Sequence, residues 1–452
     1  MIWPIVFFSI VGIAGLAAIK KPGVAFALLI SMFGIEQFFQ TQSGFFISNR
    51  RAVNLSIGFV IAIGTIFSAS RNRKVLNQPG AVQILTIVLF GYAFLSSMWT
   101  PGTEAFEARW YSSIPYLAVF LFGGPVLTQE KGAVKDGLRW TLFIGVPLLF
   151  LTAYYCEWGS RGLKLAIPTR EGNKLIYESL PLAIASFASY VGVTALVVHT
   201  RMPFAMFFRL AVLGTSVYIA FLTQSRGQAV ATIAVAATIY PLANQLKNAK
   251  GILISVIGLS IFGGIIYLIV SQMETGRWQA DRVESAVLGR QTMWATMLNS
   301  WFFCGDMRIF TGLGAAASFH YVGFYPHNLP VEILTELGIV GFCIFATIIW
   351  ISVVNSFLVL KRLNKYPEIR GEVLVLLGLM FLSLLLCLKE GSLYTWPVMF
   401  FFAICLSQKE KETRSNLDTQ KRWADFYRRQ QMAAGAMSGQ PMPSSDHFPN
   451  RR

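Results

Sequence analysis

Three basic side chains occupy settings suited to holding an anion and moving a proton. Arg226 lies in QSRGQ, at the tip of a tight turn between two apolar stretches, where Gly227 lets the chain reverse and the next helix presents its amino terminus. A guanidinium beside free backbone N–H groups is a receptor for phosphate, because its planar fork bonds oxyanions through two hydrogen bonds. A snorkelling arginine at a turn is at least as common, so this motif alone is weak. Arg290 occurs in GRQTMWATM, ahead of an apolar face of Met293, Trp294 and Met297. His327 occurs in YPHNLPVEILTELGIVG, just before a long apolar run. Histidine titrates near neutral pH and can take a proton from a hydroxyl, although a lone histidine is more often a structural hydrogen-bonding residue. Glu332 and Glu336 follow, four apart on one helical face, where they can orient His327 or an arginine or simply cap that face.

These residues must be held in place by a chain of 452 residues that is 54% hydrophobic and 13% charged, with a mean hydropathy of +0.55. Soluble chains carry about 25% charged residues, so too few polar groups remain here to cover a soluble surface of this size. The chain reads as an all-α polytopic membrane protein with about 12–13 spans, on the rule that about 20 apolar residues cross about 30 Å of hydrocarbon. The clearest stretches are 2–19, 53–70, 81–99, 111–127, 140–155, 180–199, 251–270, 330–360 and 373–388, with shorter ones at 24–39 and 396–406. The first lacks a basic leader and a cleavage signal and is expected to be retained. The run 210–242 is too long for one upright span and is interrupted by TQSRGQ, which predicts two helices and a tight turn.

The formal charge of +16 is distributed by connection. Most Lys and Arg fall in alternate loops, from Lys20 and Lys21 through RNRK at 71–74 to the run beginning at Lys361 and the tail after Leu406. The positive-inside rule puts those loops in the cytoplasm, the amino terminus outside and the carboxyl tail inside. The surplus then reports topology, and no nucleic-acid partner is required. Two long connections, 156–179 and 271–329, fall outside; the second is expected to carry an amphipathic helix near 286–301 that lies on the membrane with Trp anchors. Residues 1–203 read as amino-terminal transmembrane helices, 204–406 as a core with the outer loop 271–329, and 407–452 as a basic, disordered cytoplasmic tail. The five cysteines have no metal-ligand spacing; Cys156 and Cys304 both fall in outer loops, which leaves a disulfide between them open.

Taken in order, the SRG turn, the GR…W helix, GLG at 312–314, and PHN leading into E-x-x-x-E-x-G-x-x-G resemble the O-antigen ligase and polymerase family of bacterial envelope glycan enzymes over residues 204–350. KKP after the first span and EGNKL at 171–175 look most like its O-glycosylation-ligase branch. The resemblance implies a GT-C-like glycosyltransferase of the cytoplasmic membrane with an extracytoplasmic site and a polyprenyl-diphosphate-linked glycan as donor. The acceptor would be a glycan, a lipid or a protein. It further implies that Arg226 and Arg290 hold the diphosphate while His327 acts on the acceptor hydroxyl, as general base or orienting partner. Preorganised cations offset the charge that develops on the leaving diphosphate, so neither metal nor cofactor is expected. Arg170, Lys174, Arg277, Arg282 and His320 are further candidates for glycan or phosphate contact. The competing reading is a lipid-linked glycan flippase or another polytopic transporter. A transporter should show paired interrupted helices with ionisable residues at mid-membrane, and a flippase should place its cations in a central cavity.

Overall fold

The computed structural model describes residues 2–71, 79–130, 132–159, 162–168, 174–179, 182–197, 205–223, 225–243, 280–363, 366–394 and 397–438, with scattered positions between 253 and 268. The first half of the chain forms α1 (Ile2–Lys20), α2 (Pro22–Gln42), α3 (Gly44–Ser48), α4 (Arg50–Arg71), α5 (Ala81–Ser96), α6 (Thr103–Leu117), α7 (Gly124–Thr128) and α8 (Ala133–Tyr155). After a small sheet come α9 (Leu182–Val197), α10 (Ala205–Leu222), α11 (Arg226–Ala243), α12 (Ala280–Phe302), α13 (Asp306–Thr311), α14 (Ala317–Val322), α15 (Leu329–Arg362), α16 (Pro367–Lys389) and α17 (Pro397–Ser438).

Eight of the described helices are long and apolar enough to cross a membrane, and three shorter apolar helices accompany them. The chain is a multi-pass membrane protein. In α2 and α16, 83% and 78% of the apolar window is buried against protein, compared with 17% in α1. Those two helices are therefore the most enclosed of the eight, and α1 leaves most of its apolar surface uncovered by protein. Proline stands in the first turn of α2, α15 and α16, where its missing N–H costs nothing. Inside α6, Pro115 precedes a π-helical turn over Ala118–Gly123, which passes the chain on into α7.

The expected break in 210–242 is present: α10 ends at Leu222 and α11 begins at Arg226. The stretch 251–270 lies almost wholly outside the described residues. Beside the helices, the connection after Cys156 holds a three-stranded antiparallel sheet of β1 (Trp158–Gly159), β2 (Gly162–Pro168) and β3 (Lys174–Ser179), with Leu163 opposite Ser179 and Pro168 opposite Lys174. Cys156 and Cys304 are both free: the Cys156 thiol is buried 3.4 Å from Thr41 Oγ1, and Cys304 Sγ points at the Trp301 carbonyl.

One reading is corrected in the tail: residues 407–438, expected to be disordered, continue α17 without a break to Ser438. Its polar turns dock through side-chain pairing. Glu410, 1% exposed, accepts a hydrogen bond from Ser356, and Lys409 lies 2.8 Å from Glu372. Arg414 donates to Asn355 at 2.8 Å. Burial pushes the Glu410 carboxyl up to about 8, so it sits against α15 largely in its neutral form.

Candidate functional site

The connection between α12 and α15 is built onto a break in α15. Gly338 has φ 65 and ψ −168 inside that helix, a conformation essentially closed to residues with a Cβ. The break frees the Thr335 and Glu336 carbonyls, which accept from Leu313 N and Gly314 N at 2.9 Å each. Gly312 and Gly314 make the approach possible: a Cβ at Gly312 would lie 2.1 Å from the Glu336 carbonyl oxygen, and one at Gly314 would lie 2.6 Å from Thr100. Tyr92 and Trp99 at the end of α5 then donate to the Thr311 and Gly312 carbonyls, fixing the same loop from the other side. The GLG motif is thus a docking seam.

Glu336 and Glu332 complete the anchoring, each 2% exposed. Glu336 accepts from the backbone N–H groups of Ala316 and Ser318 at 2.7 and 3.0 Å. Glu332 accepts from Ser392 Oγ and Leu393 N at 2.8 and 3.2 Å. Among the described residues neither carboxylate bonds His327 or an arginine, and the contacts that both make are bracing ones.

Helix α12 lies over this loop. Trp294 Nε1 donates to the Pro326 carbonyl at 2.7 Å, Trp301 Nε1 donates to Ile309 at 3.2 Å, and Met297 is fully buried beside Leu313 and Ala317. The apolar face expected on the bilayer therefore packs inward, and these two tryptophans pin protein. Leu288 and Val287 on α12, and Phe302 and Phe303 at its end, remain exposed.

Trp294 thereby brings α12 onto the segment that carries His327. His327 has φ +54, a left-handed conformation costing about 1–2 kcal/mol for a residue with a side chain. Its neighbour holds it there. Asn328 caps α15 through Oδ1 on Val331 N at 3.1 Å, while its Nδ2 donates to the Leu388 carbonyl at the end of α16. The imidazole is half-buried 4.3 Å from the Tyr325 ring, and its Nδ1 is enclosed without a hydrogen-bond partner among the described residues. Burial first, then the Arg290 charge and, more weakly, Lys389 lower its pKa, with Glu390 opposing. At neutral pH the ring is uncharged.

Arg290 is half-buried, and its side chain makes no ion pair or hydrogen bond among the described residues. On the other side of His327, the end of α16 meets the start of α11. Lys389 lies 2.5 Å from Glu390 and 3.2 Å from Gln228 Oε1, and Gln228 Nε2 donates to Glu390 at 3.2 Å. The Lys389 stem runs so close to Gly227 that a Cβ there would meet it at 2.0 Å. Arg226 is the first residue of α11 and so stands next to this junction in the chain; its side chain lies outside the described residues.

The structure therefore gathers His327, Arg290 and the Arg226 turn at one end of the bundle. Other sequence candidates fall elsewhere or outside the description. His320 is exposed on α14, edge-on to Tyr321 at 5.0 Å. Lys174 begins β3 and Arg282 lies in α12, both with side chains outside the described residues, and Arg170 and Arg277 lie outside them altogether. The sequence reading missed Tyr325, Lys389, Glu390 and Arg109. Lys389 and Glu390 carried one visible signal, a charge pair at the end of an apolar span opposite to the basic end. Arg109 carried none, because α6 is far from the other residues in the chain.

No family model matches the chain, and no curated protein is significantly similar to it.

Proposed function

We propose that the protein is a membrane glycosyltransferase of the O-antigen ligase and polymerase type. It would transfer a glycan from a polyprenyl-diphosphate carrier to an acceptor hydroxyl on the outer face of the bacterial cytoplasmic membrane. The observation that carries this reading is the uncharged, strained His327, whose Nδ1 has no hydrogen-bond partner among the described residues, under the charge of an Arg290 that is likewise without a side-chain partner among them, at the end of the bundle where α11 begins at Arg226. A neutral imidazole can accept the proton of an attacking hydroxyl. Two arginines and the first N–H groups of α11 stabilise the negative charge that grows on the departing diphosphate. Attack by the hydroxyl forms the new glycosidic bond as the glycosyl–phosphate bond breaks, so a single displacement inverts the anomeric centre. The proton moves to His327, and the bonding pair leaves with the diphosphate.

The test is genetic and chemical. Deleting the gene should remove one envelope glycan product and cause its lipid-linked precursor to accumulate. Arg226→Ala, Arg290→Ala and His327→Ala should each insert into the membrane and fail to restore that product. Restoration by all three variants would overturn the site. Loss of long polymer with single units retained would assign a polymerase, and whole chains stranded on the carrier a ligase.

A further inference from the structure

Arg109 lies on α6, yet its guanidinium reaches the outer loop, standing 5.0 Å over the Phe319 ring and 5.9 Å over the Tyr325 ring. The residue is half-buried and makes no ion pair or side-chain hydrogen bond among the described residues. Elsewhere in the bundle, comparable basic groups are matched: Arg71 with Glu130 at 3.0 Å, Lys135 with Glu368 at 2.6 Å and Lys409 with Glu372 at 2.8 Å. A guanidinium carries five N–H donors, and aromatic faces satisfy its charge without accepting those hydrogen bonds. Its neighbours show where it stands. Tyr325 feels both Arg109 and Arg290, and its ring is 4.3 Å from that of His327. Tyr325 thus lies within the influence of two arginines that have no side-chain partner among the described residues, and of the two it is Arg290 whose charge acts on His327. Beyond Arg109 the segment FHYVGFY leaves His320, Tyr321 and Phe324 exposed, rings of the kind on which sugar faces stack.

We propose that Arg109 is a third oxyanion-binding residue of this site, taking a phosphate or carboxylate of the bound substrate beside the Phe319 and Tyr325 rings. This rests on the glycosyl-transfer reading and extends it: the substrate carries an anionic group next to the sugar packed on the 319–325 aromatics. The same guanidinium chemistry fits the carrier diphosphate or an acidic sugar of the acceptor. The fork geometry favours a bidentate oxyanion over a neutral hydroxyl in either case.

The experiment uses purified full-length protein in nanodiscs and two probes, farnesyl diphosphate and a glucuronate-containing disaccharide, read by tryptophan fluorescence, since Trp110 adjoins Arg109 in the chain. Arg109→Gln should weaken at least one probe on the order of tenfold, as expected for losing a charge-assisted pair. Arg109→Lys should recover part of that loss by keeping the charge. Loss confined to farnesyl diphosphate places Arg109 on the donor, and loss confined to the glucuronate disaccharide places it on the acceptor. Unchanged affinity for both probes in Arg109→Gln, or native protein that binds neither, overturns the proposal. Should Arg109→Gln fail to fold, the Arg109→Lys variant decides: native affinity for both probes overturns the bidentate role. Arg290→Ala is the control for the underlying reading. If it loses farnesyl diphosphate while Arg109→Gln loses nothing, only the role of Arg109 falls; if it too retains farnesyl diphosphate, the donor site itself is wrong.

Discussion

His327 is the centre of the proposed chemistry, because its environment fixes its backbone and disfavours its charged form. Enclosure disfavours the imidazolium, and the positive charge of Arg290 disfavours it further, so its pKa lies below the ordinary value of about 6.5. The sign of the expected behaviour follows directly. The neutral ring persists as pH falls through 6.5 and is lost only lower, so proton acceptance survives mild acid. Diethylpyrocarbonate reacts with the neutral imidazole alone, and His199, His320 and His447 are the only other histidines. With those three replaced by Gln, the modification rate of His327 should fall to half at a pH below 6.5. In the Arg290→Gln variant that midpoint should move upward, because a charge that opposed protonation is gone. An unchanged midpoint would mean that Arg290 does not face the ring.

Elements far apart in the chain position that residue, and the seam between the GLG loop and α15 is the critical one. Gly338→Ala places a Cβ 2.3 Å from the Phe310 carbonyl oxygen in a backbone conformation reserved for glycine. It should cost about 2 kcal/mol or more, lower the thermal midpoint and expose residues 310–316 to protease. Native stability and protease resistance would show that α15 can run straight through Gly338. Much of this was legible in the sequence where the signal is local. The apolar runs gave the spans, TQSRGQ gave the turn before Arg226, and PHN gave the start of α15. The break at Gly338 was not, because a glycine inside an apolar helix reads the same whether it bends or packs. Nor was the destination of Trp294 and Trp301, since an amphipathic face looks alike whether lipid or protein covers it. The docking of α17 beyond Leu406 escaped notice for a related reason: its contacts are ion pairs and hydrogen bonds by Glu410, Lys409 and Arg414, which leave no apolar period to detect. The approach of Arg109 to Tyr325 depends wholly on how α6 packs.

At the scale of the whole molecule, His327 and the basic pair Lys361 and Arg362 stand at opposite ends of one helix. Beyond the break at Gly338, helix α15 runs on for 24 residues to Arg362, and at about 1.5 Å each that part is about 36 Å long, enough to cross the about 30 Å hydrocarbon core. His327 and Asn328 precede its first turn, whereas Lys361 and Arg362 occupy its last, where Arg362 faces Asp418 of α17 at 3.6 Å. Exposed pairs of this kind contribute little to stability, so the surplus of basic residues at that end is better explained by insertion than by folding. The cytoplasm should then hold Lys361 and the distal part of α17, and the opposite face should hold His327. Two cysteine probes in a variant whose five native cysteines are replaced by Ser decide the matter. Phe324→Cys, at a position 43% exposed beside His327, should react with a membrane-impermeant maleimide in intact spheroplasts. Arg422→Cys, exposed on α17, should react only after the membrane is opened. The reverse pattern would put the site in the cytoplasm, where a carrier-linked glycan already moved to the outer leaflet could not reach it, and transfer at His327 would have to be abandoned along with the topology.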